Sequence, residues 1–214
     1  MDGADIVNGK ECDSMELKKQ LIISIGREYG SGGHRIAEEL AKRFGLTFYD
    51  YHMLGEIALD KKVDVNTLEK FDELPKTPFF SRTVKGYSNS PQENIANLQF
   101  DFLRKKADEG ESFVIVGRCA ETILKENPNL ISFFVLGDMQ DKIERTMQRE
   151  GVSRGEAEEL LARHDRKRKT YHNHYCKTKW GDSRGYDVSI NSSRLGLDGT
   201  ADMMEEYIKM RLSL

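Results

Sequence analysis

Short apolar runs alternate with amphipathic segments along this chain of 214 residues. The runs are rich in β-branched and aromatic residues, which is typical of strands that are buried on both faces of a parallel sheet. We predict five such strands, at residues 21–25, 47–50, 112–117, 130–136 and 186–191.

The segments between these strands predict helices. After the first strand, Ile36, Leu40 and Phe44 recur every four residues, which is the spacing of a helix that buries one face, and Gly45 stands where that helix is expected to end. We predict further helices at residues 51–59, 92–107, 152–180 and 198–212, and one that Asp138 caps.

Two stretches are harder to interpret. Residues 1–18 are polar and turn-rich, so we expect a loosely ordered tail before a single domain at residues 19–214. Farther along, Asp64 is expected to cap a short helix through Phe71, and the proline-containing stretch 72–92 is expected to be a loop.

The alternation of strands and helices predicts the α/β fold class with a mostly parallel sheet. Ligands bind such sheets at the carboxyl ends of their strands. The segments that inform most about function are therefore 26–35, 50–52, 117–121 and 137–140.

Composition narrows the class of protein. The net charge is −3, with 38% hydrophobic and 32% charged residues, so total charge gives no reason to expect general nucleic-acid binding. We see no apolar run as long as a membrane span and no signal-peptide pattern, and we expect no membrane association. Cys12, Cys119 and Cys176 are widely spaced and odd in number, which favours free thiols and a cytoplasmic location.

The segment "GREYGSGGHRI", residues 26–36, places three glycines within four positions between the first strand and the first helix. Glycines allow backbone amides to converge on one anion, and the following helix adds the positive end of its dipole. We therefore predict that Gly30, Ser31, Gly32 and Gly33 bind a phosphate group. A plain tight turn between strand and helix is the alternative.

The strict nucleotide-binding motif G-x-x-x-x-G-K-[ST] is absent, because Gly33 and His34 stand where it has lysine and serine or threonine. The missing positive charge is expected to come from Arg27, Arg35 or Arg118. Histidine is a poor ligand for Mg²⁺, so phosphate oxygens and water are expected to hold this ion.

Residues 163–184 contain eight Lys or Arg and two acidic residues, a local charge of +6. Arg163, Arg166 and Lys167 share one helix face, and arginine matches phosphate oxygens through paired hydrogen bonds. We interpret residues 153–184 as a basic lid that closes over polyphosphate. A solvated helix face and an RNA-binding patch are the alternatives.

Two histidines in this stretch, His172 and His174, are separated by one residue. Apart from Cys176 they have no nearby metal-binding partner in the sequence, so we predict packed or solvent-facing histidines rather than zinc ligands and assign no metal ligand. Cys119 is interpreted as a small packing residue.

Four segments together resemble the cytidylate kinase-like family, a divergent branch of the P-loop nucleoside monophosphate kinases. They are "ISIGREYGSGGHRIAEELAKRFGLTFYD", "VIVGRCAETIL", "HDRKRKTYHNHYCKTKWGD" and "YDVSINSSRLGLDG". The resemblance implies a P-loop NTPase-type three-layer sandwich: helices cover both faces of a five-stranded parallel sheet, and a basic helical lid is added. The implied activity is transfer of the ATP γ-phosphoryl group to a nucleoside monophosphate, CMP or dCMP above all, with ATP and Mg²⁺ as cofactors.

The resemblance also implies residue roles. Arg118 matches the arginine of a "GRD" segment that contacts the acceptor phosphate, with Cys119 in place of the acid. Asp50 falls where cytidylate kinases carry an acid near the acceptor nucleoside. The donor phosphates are assigned to Arg27 and the loop residues 30–35.

The lid residues Arg163, Arg166 and Lys167 fall where the family's lid arginines contact the transferring phosphoryl group. Because the loop lysine is absent, a nucleotide-binding sensor without turnover is the alternative function, with RNA binding as a distant third. Nucleotides are the expected partners, and a homodimer is left open.

Overall fold

The computed structural model describes residues 19–50, 53, 55, 57, 83–84, 87–88 and 91–213. The tail predicted at residues 1–18 and the helix predicted between Asp64 and Phe71 lie outside the described residues. Of the helix predicted at 51–59, Met53, Gly55 and Ile57 are described, and they are helical.

Five parallel strands of the described residues form one sheet, each within two residues of its predicted bounds. They are β1 (Ile22–Arg27), β2 (Thr47–Tyr49), β5 (Phe113–Val116), β6 (Leu130–Leu136) and β7 (Val188–Asn191). Their order across the sheet is β2-β5-β1-β6-β7. Two short strands, β3 (Thr83–Val84) and β4 (Tyr87–Ser88), pair antiparallel within the stretch that the sequence predicts to be a loop.

Helices pack on both faces of the sheet. Those with described bounds are α1 (Gly33–Phe44), α2 (Pro91–Asp108), α3 (Ala120–Ile123), α4 (Met139–Glu150), α5 (Arg154–Tyr175) and α6 (Ser192–Leu212). The last helix begins six residues before its predicted start at 198 and is broken at Gly196, where φ is 70°. No helix in the described ranges is both long and apolar enough to cross a membrane.

The central strand β1 buries its side chains in two cores, one on each face. Ile23 belongs to the core that includes Leu40 of α1 and Met204 of α6. Ile22 belongs to the core on the opposite face, which includes Leu103 of α2. Strand side chains alternate between faces, so this pattern gives the three layers that the resemblance implies.

A hairpin of α4 and α5 packs against the carboxyl end of β1, with Leu161 and Ile143 in a small core of their own. The sequence predicts that α5 continues to residue 180, but the helix ends at Tyr175. The reason is a turn of the chain, in which the Trp180 amide donates a hydrogen bond back to the Asn173 side chain at 2.8 Å.

Asp138 occupies the residue before α4, as predicted, but its side chain does not cap the helix. Its carboxylate instead accepts a hydrogen bond from Asn191 Nδ2 at 2.8 Å, which joins the end of β6 to the end of β7. The expected capping role is therefore wrong.

Candidate functional site

The glycine-rich loop joins the carboxyl end of β1 to α1. Gly30 and Gly32 have φ values of 75° and 82°, in the left-handed region that favours glycine. A Cβ atom at Gly30 would lie 2.9 Å from the carbonyl oxygen of Lys142. At Gly33 it would lie 2.6 Å from Cβ of Arg27. The loop therefore requires glycine both for its turn and for the close approach of its neighbours.

Several backbone amides of this loop are open. The Ser31 hydroxyl is used within the loop, since it donates to the Glu28 carbonyl at 2.8 Å and accepts from the Gly33 amide at 3.3 Å. To the residues that the structure describes, no hydrogen bond is donated by the amides of Gly30, Gly32, His34 and Arg35. N–H groups at a helix N-terminus that lack protein partners are suited to bind an anion.

The carbonyl groups of Gly30 and Ser31 accept hydrogen bonds from side chains of α4 and α6. Arg145 Nη1 donates to the carbonyls of Gly30 and Ser31 at 3.3 and 3.2 Å. The buried Ser192 hydroxyl donates to the same Ser31 carbonyl at 2.6 Å. Because the Ser31 C=O and the Gly32 N–H belong to one trans peptide and point in opposite directions, these bonds turn the Gly32 amide away from α4 and α6.

A groove of about 940 Å³ lies over the loop. It is lined by five arginines, Arg27, Arg35, Arg145, Arg149 and Arg168, and three glutamates, Glu28, Glu38 and Glu150. Sequence reasoning named the first two of these arginines and missed the other three as groove residues. A signal for two of them exists: Arg145 and Arg149 lie four residues apart, and thus on one face, of the helix that follows β6.

The helix α5 contacts the loop through residues that the sequence did not single out. Asp165 Oδ1 accepts a hydrogen bond from the Tyr29 amide at 2.7 Å, and burial raises the pKa of this carboxyl. Arg168 Nη1 donates to the Arg27 carbonyl at 3.5 Å. His164 stacks on the Tyr29 ring with 4.2 Å between ring centres.

The predicted lid residues lie elsewhere on the same helix. Arg163, Arg166 and Lys167 are exposed, whereas Asp165 and Arg168 are partly buried toward the loop. The structure therefore does not bring the three predicted lid cations together with the glycine loop. Their role in catalysis stays a prediction.

The segment after β5 holds Arg118 near the carboxyl end of β1. Arg118 is only 4% exposed and has a φ of 59°, which is uncommon for a residue with a side chain. A Cβ atom at Gly117 would overlap Arg27 Nη1, so the Arg27 guanidinium lies against this backbone. A small cavity of about 20 Å³ is lined by both arginines and by Arg168 and Trp180. Three cations thus converge beside the carboxyl ends of β1 and β5.

The structure also joins two predicted site residues that are distant in sequence. Asp50, at the end of β2, is buried, and its Oδ2 lies 3.0 Å from His34 Nε2 at the start of α1. The ring of His34 remains partly exposed. This pair connects the glycine loop to the side of the sheet where Asp50 is predicted to face an acceptor.

Of the two predicted histidines, His172 is packed and His174 is exposed. Burial lowers the pKa of His172, but Cys176 and Glu121 beside it outweigh burial and raise that pKa to about 10. Contact with Cys119, with help from His172, lowers the pKa of the Cys176 thiol. Cys119 itself is buried in a small apolar cluster, consistent with its predicted packing role.

Known proteins resemble this chain over most of its length. The sequence profile described as the cytidylate kinase-like family matches residues 22–194. A curated cytidylate kinase of Methanococcus vannielii is 27% identical over 193 residues, which are 88% of this chain and 100% of that protein.

Two solved structures extend the comparison. An uncharacterized protein from Eubacterium ventriosum with a known crystal structure is 43% identical to this chain. The match covers 89% of this chain and 99% of that chain, with a TM-score of 0.72. Shikimate kinase from Bacteroides thetaiotaomicron is 12% identical to this chain. The match covers 88% of this chain and 98% of that chain with a TM-score of 0.53, which shows a shared fold. The profile match runs from β1 into α6 and includes the glycine loop, Arg118 and α5, and the chain therefore belongs to the cytidylate kinase-like family.

Proposed function

We propose that the protein is a nucleotide kinase that transfers the γ-phosphoryl group of ATP to a nucleoside monophosphate, with CMP or dCMP as the acceptor. One observation carries the proposal: open amides of the glycine loop line a groove together with five arginines. The name of the curated relative, cytidylate kinase, supports a cytidine nucleotide as the acceptor.

The donor polyphosphate would bind across the glycine loop. The amides of Gly30, Gly32 and His34 donate to phosphate oxygens, and the dipole of α1 adds its positive end. The arginines that line the groove then supply the charge that a loop lysine supplies in the standard motif. Phosphoryl transfer depends mostly on such positioning and charge neutralisation, so a missing lysine can be replaced by guanidinium groups from α4 and α5.

The acceptor phosphate would bind at Arg118. Arg118 lines a cavity of about 20 Å³ together with Arg27 and Arg168, between the ends of β1 and β5. This space holds one water molecule, so the arginines would have to move apart to admit the acceptor phosphate. A phosphate monoester is already ionised at neutral pH, because its second pKa is about 6. Transfer to this acceptor therefore needs no general base, and Asp50 is assigned to the acceptor nucleoside instead.

The residues around the loop do not provide a standard magnesium site. His34 stands where the motif has a hydroxyl, and its Nε2 is bonded to Asp50 at 3.0 Å. The Ser31 hydroxyl is bonded within the loop. Phosphate oxygens and water would supply most of the Mg²⁺ ligands, and no step here depends on a protein ligand to that ion.

The experiment is a coupled assay of ADP release with CMP, dCMP, UMP and AMP as acceptors. We expect the highest kcat/KM with CMP or dCMP and little ATP hydrolysis without an acceptor. Arg145→Ala should raise the KM for ATP, whereas Arg104→Ala, on the exposed side of α2, should not. The absence of ATP binding in calorimetry would overturn the proposal.

A second function is favoured by one observation, the Gly33 and His34 pair at the positions of lysine and hydroxyl. A protein that binds ATP but turns over none of the four acceptors would act as a nucleotide sensor. The same assay, with calorimetry for binding, therefore separates the two functions.

A further inference from the structure

Outside the groove, three metal-binding side chains meet inside the protein. Glu121 comes from α3, and His172 and Cys176 come from the carboxyl end of α5. One donor atom from each residue lies within 4.8 Å of the others, and all three residues are buried. The histidine and cysteine are four residues apart, a spacing that places two side chains on the same helix face.

The contacts converge on one atom. Glu121 Oε1 lies 2.8 Å from His172 Nε2 and 4.0 Å from Cys176 Sγ. The side chains of Glu121 and His172 are 3% and 7% exposed. A buried carboxylate such as that of Glu121 is costly unless an opposite charge lies beside it. A metal ion would supply that charge, and so would a proton on the His172 ring.

His172 also carries a nitrogen that the protein leaves unused. Its Nδ1 is buried and has no hydrogen-bond partner among the residues that the structure describes. A buried nitrogen without a partner costs free energy. A neutral imidazole offers one lone pair, so a ligand bound at Nδ1 would remove that cost while Nε2–H donates to Glu121. Such a ligand must reach the same enclosed space as Glu121 and Cys176.

The three donor atoms, a sulfur, a nitrogen and an oxygen, indicate which metal ion would bind there. One thiolate, one imidazole and one carboxylate are the ligands of Zn²⁺ in proteins, whereas Mg²⁺ and Ca²⁺ prefer oxygen alone. Zinc bonds of about 2.0–2.3 Å place tetrahedral donors roughly 3.3–3.8 Å apart. A spread of 4.8 Å therefore needs only small rotations of the side chains.

The surroundings leave room for a fourth ligand. Cys119 packs in the same apolar cluster as Cys176. The small cavity of about 20 Å³, lined by Glu121 and His172 among others, is large enough for one water molecule. A water molecule in this cavity can thus complete a tetrahedral site, with Cys176 as the one thiolate.

We propose that Glu121, His172 and Cys176 form a zinc site that ties the carboxyl end of α5 to the segment that follows Arg118. The site does not depend on the proposed kinase activity. Its ligands come from chain segments about fifty residues apart, so bound zinc would fix α5 against the end of β5. Sequence reasoning considered His172, His174 and Cys176 together and rejected them, because it had no means of bringing Glu121 to the pair.

The test uses the full chain, without an affinity tag and under reducing conditions. Elemental analysis of protein from zinc-supplemented medium should find one zinc per chain. After chelation, added Co²⁺ should give the thiolate charge-transfer band and the visible bands of a tetrahedral site. Zinc should raise the Tm of the apo protein. A wild-type chain that shows neither the cobalt bands nor a zinc-dependent Tm would overturn the proposal without any variant.

Variants then locate the site. Cys176→Ser should abolish the charge-transfer band and weaken Co²⁺ binding by more than the roughly 10–100-fold cost of losing an outer-shell partner. His172→Gln should weaken Co²⁺ binding similarly. His174→Gln is the matched control, because His174 is exposed on the same helix, and it should bind as the wild type does. Retention of the band by Cys176→Ser would contradict the assignment.

Discussion

Leu197 of α6 packs against Gly32 of the glycine loop. The effect of this close packing on stability can be measured with the substitution Gly32→Ala. Gly32 has a φ of 82°, and an added Cβ would overlap the Leu197 methyl Cδ2. The substitution therefore causes two separate effects, backbone strain and steric overlap. Gly45, at the other end of α1, has a φ of 62° and nothing within 4 Å of an added Cβ, so Gly45→Ala causes the strain alone.

The magnitudes differ accordingly. A residue with a side chain in the left-handed region costs about 1–2 kcal/mol. Overpacking adds about 1–3 kcal/mol. We expect about 1–2 kcal/mol here, because Leu197 is partly exposed and can move. We expect Gly32→Ala to lower the free energy of unfolding by about 2–4 kcal/mol and Gly45→Ala by about 1–2 kcal/mol. In a domain of this size, each kcal/mol shifts Tm by roughly 2–4 °C.

The assay is a double-mutant cycle with Leu197→Ala, followed by urea unfolding and thermal melting. Removing the Leu197 side chain opens the space that Cβ needs, so the double variant should be about 1–2 kcal/mol more stable than the sum of the single changes predicts. The same cycle with Gly45→Ala should be additive. Additivity within about 0.5 kcal/mol for Gly32→Ala, or an equal cost at Gly45, would refute the reasoning.

Three further outcomes are expected. Arg118→Ala should weaken acceptor binding about 10–100-fold, the cost of losing hydrogen bonds to a charged group, and change ATP binding much less; equal losses in calorimetry would contradict the acceptor role. Arg168→Ala should weaken ATP binding roughly 10-fold, whereas the exposed Arg166→Ala should stay within about 2-fold, and the reverse order would assign the contact to the predicted lid face. Lys209 holds the pKa of Glu205 below its usual range, so this pair stabilises the fold fully above an unfolded value near 4.5 and loses that contribution as pH falls through the lower folded value. Stability curves measured between about pH 5 and 3 should therefore be flatter for Glu205→Gln than for the wild type, by less than about 1 kcal/mol, and parallel curves would contradict this.

The strands and α1 could be predicted because their signals are local. An uninterrupted apolar run specifies a buried strand wherever it lies, and β6 matches its prediction to the residue. The first turn of α6, at residues 192–195, could not be predicted in this way, since it precedes the break at Gly196 and is too short to show a helical pattern. The same limit applies to the Asp138 side chain, whose partner Asn191 lies 53 residues away.

The same distinction between local signals and contacts of distant residues applies to the candidate site. The glycines follow β1 and Arg118 follows β5, which are the positions that the sequence predicts for them. The inner face of α5 has no local signal, because basic residues surround the helix and only packing against β1 shows that Arg168 faces the loop and Arg166 does not. The contact between His172 and Glu121 spans 51 residues and has no signal in a single sequence.

The central claim is that open loop amides and groove arginines hold the phosphates of a nucleotide. A crystal structure of the protein grown with ADP and Mg²⁺ tests it most directly. We expect β-phosphate oxygens within hydrogen-bond distance of the Gly32 and His34 amides, with an arginine of the groove in contact with the same phosphate. ADP bound at another place while the loop stays empty, or loop amides directed away from the phosphates, would contradict the account.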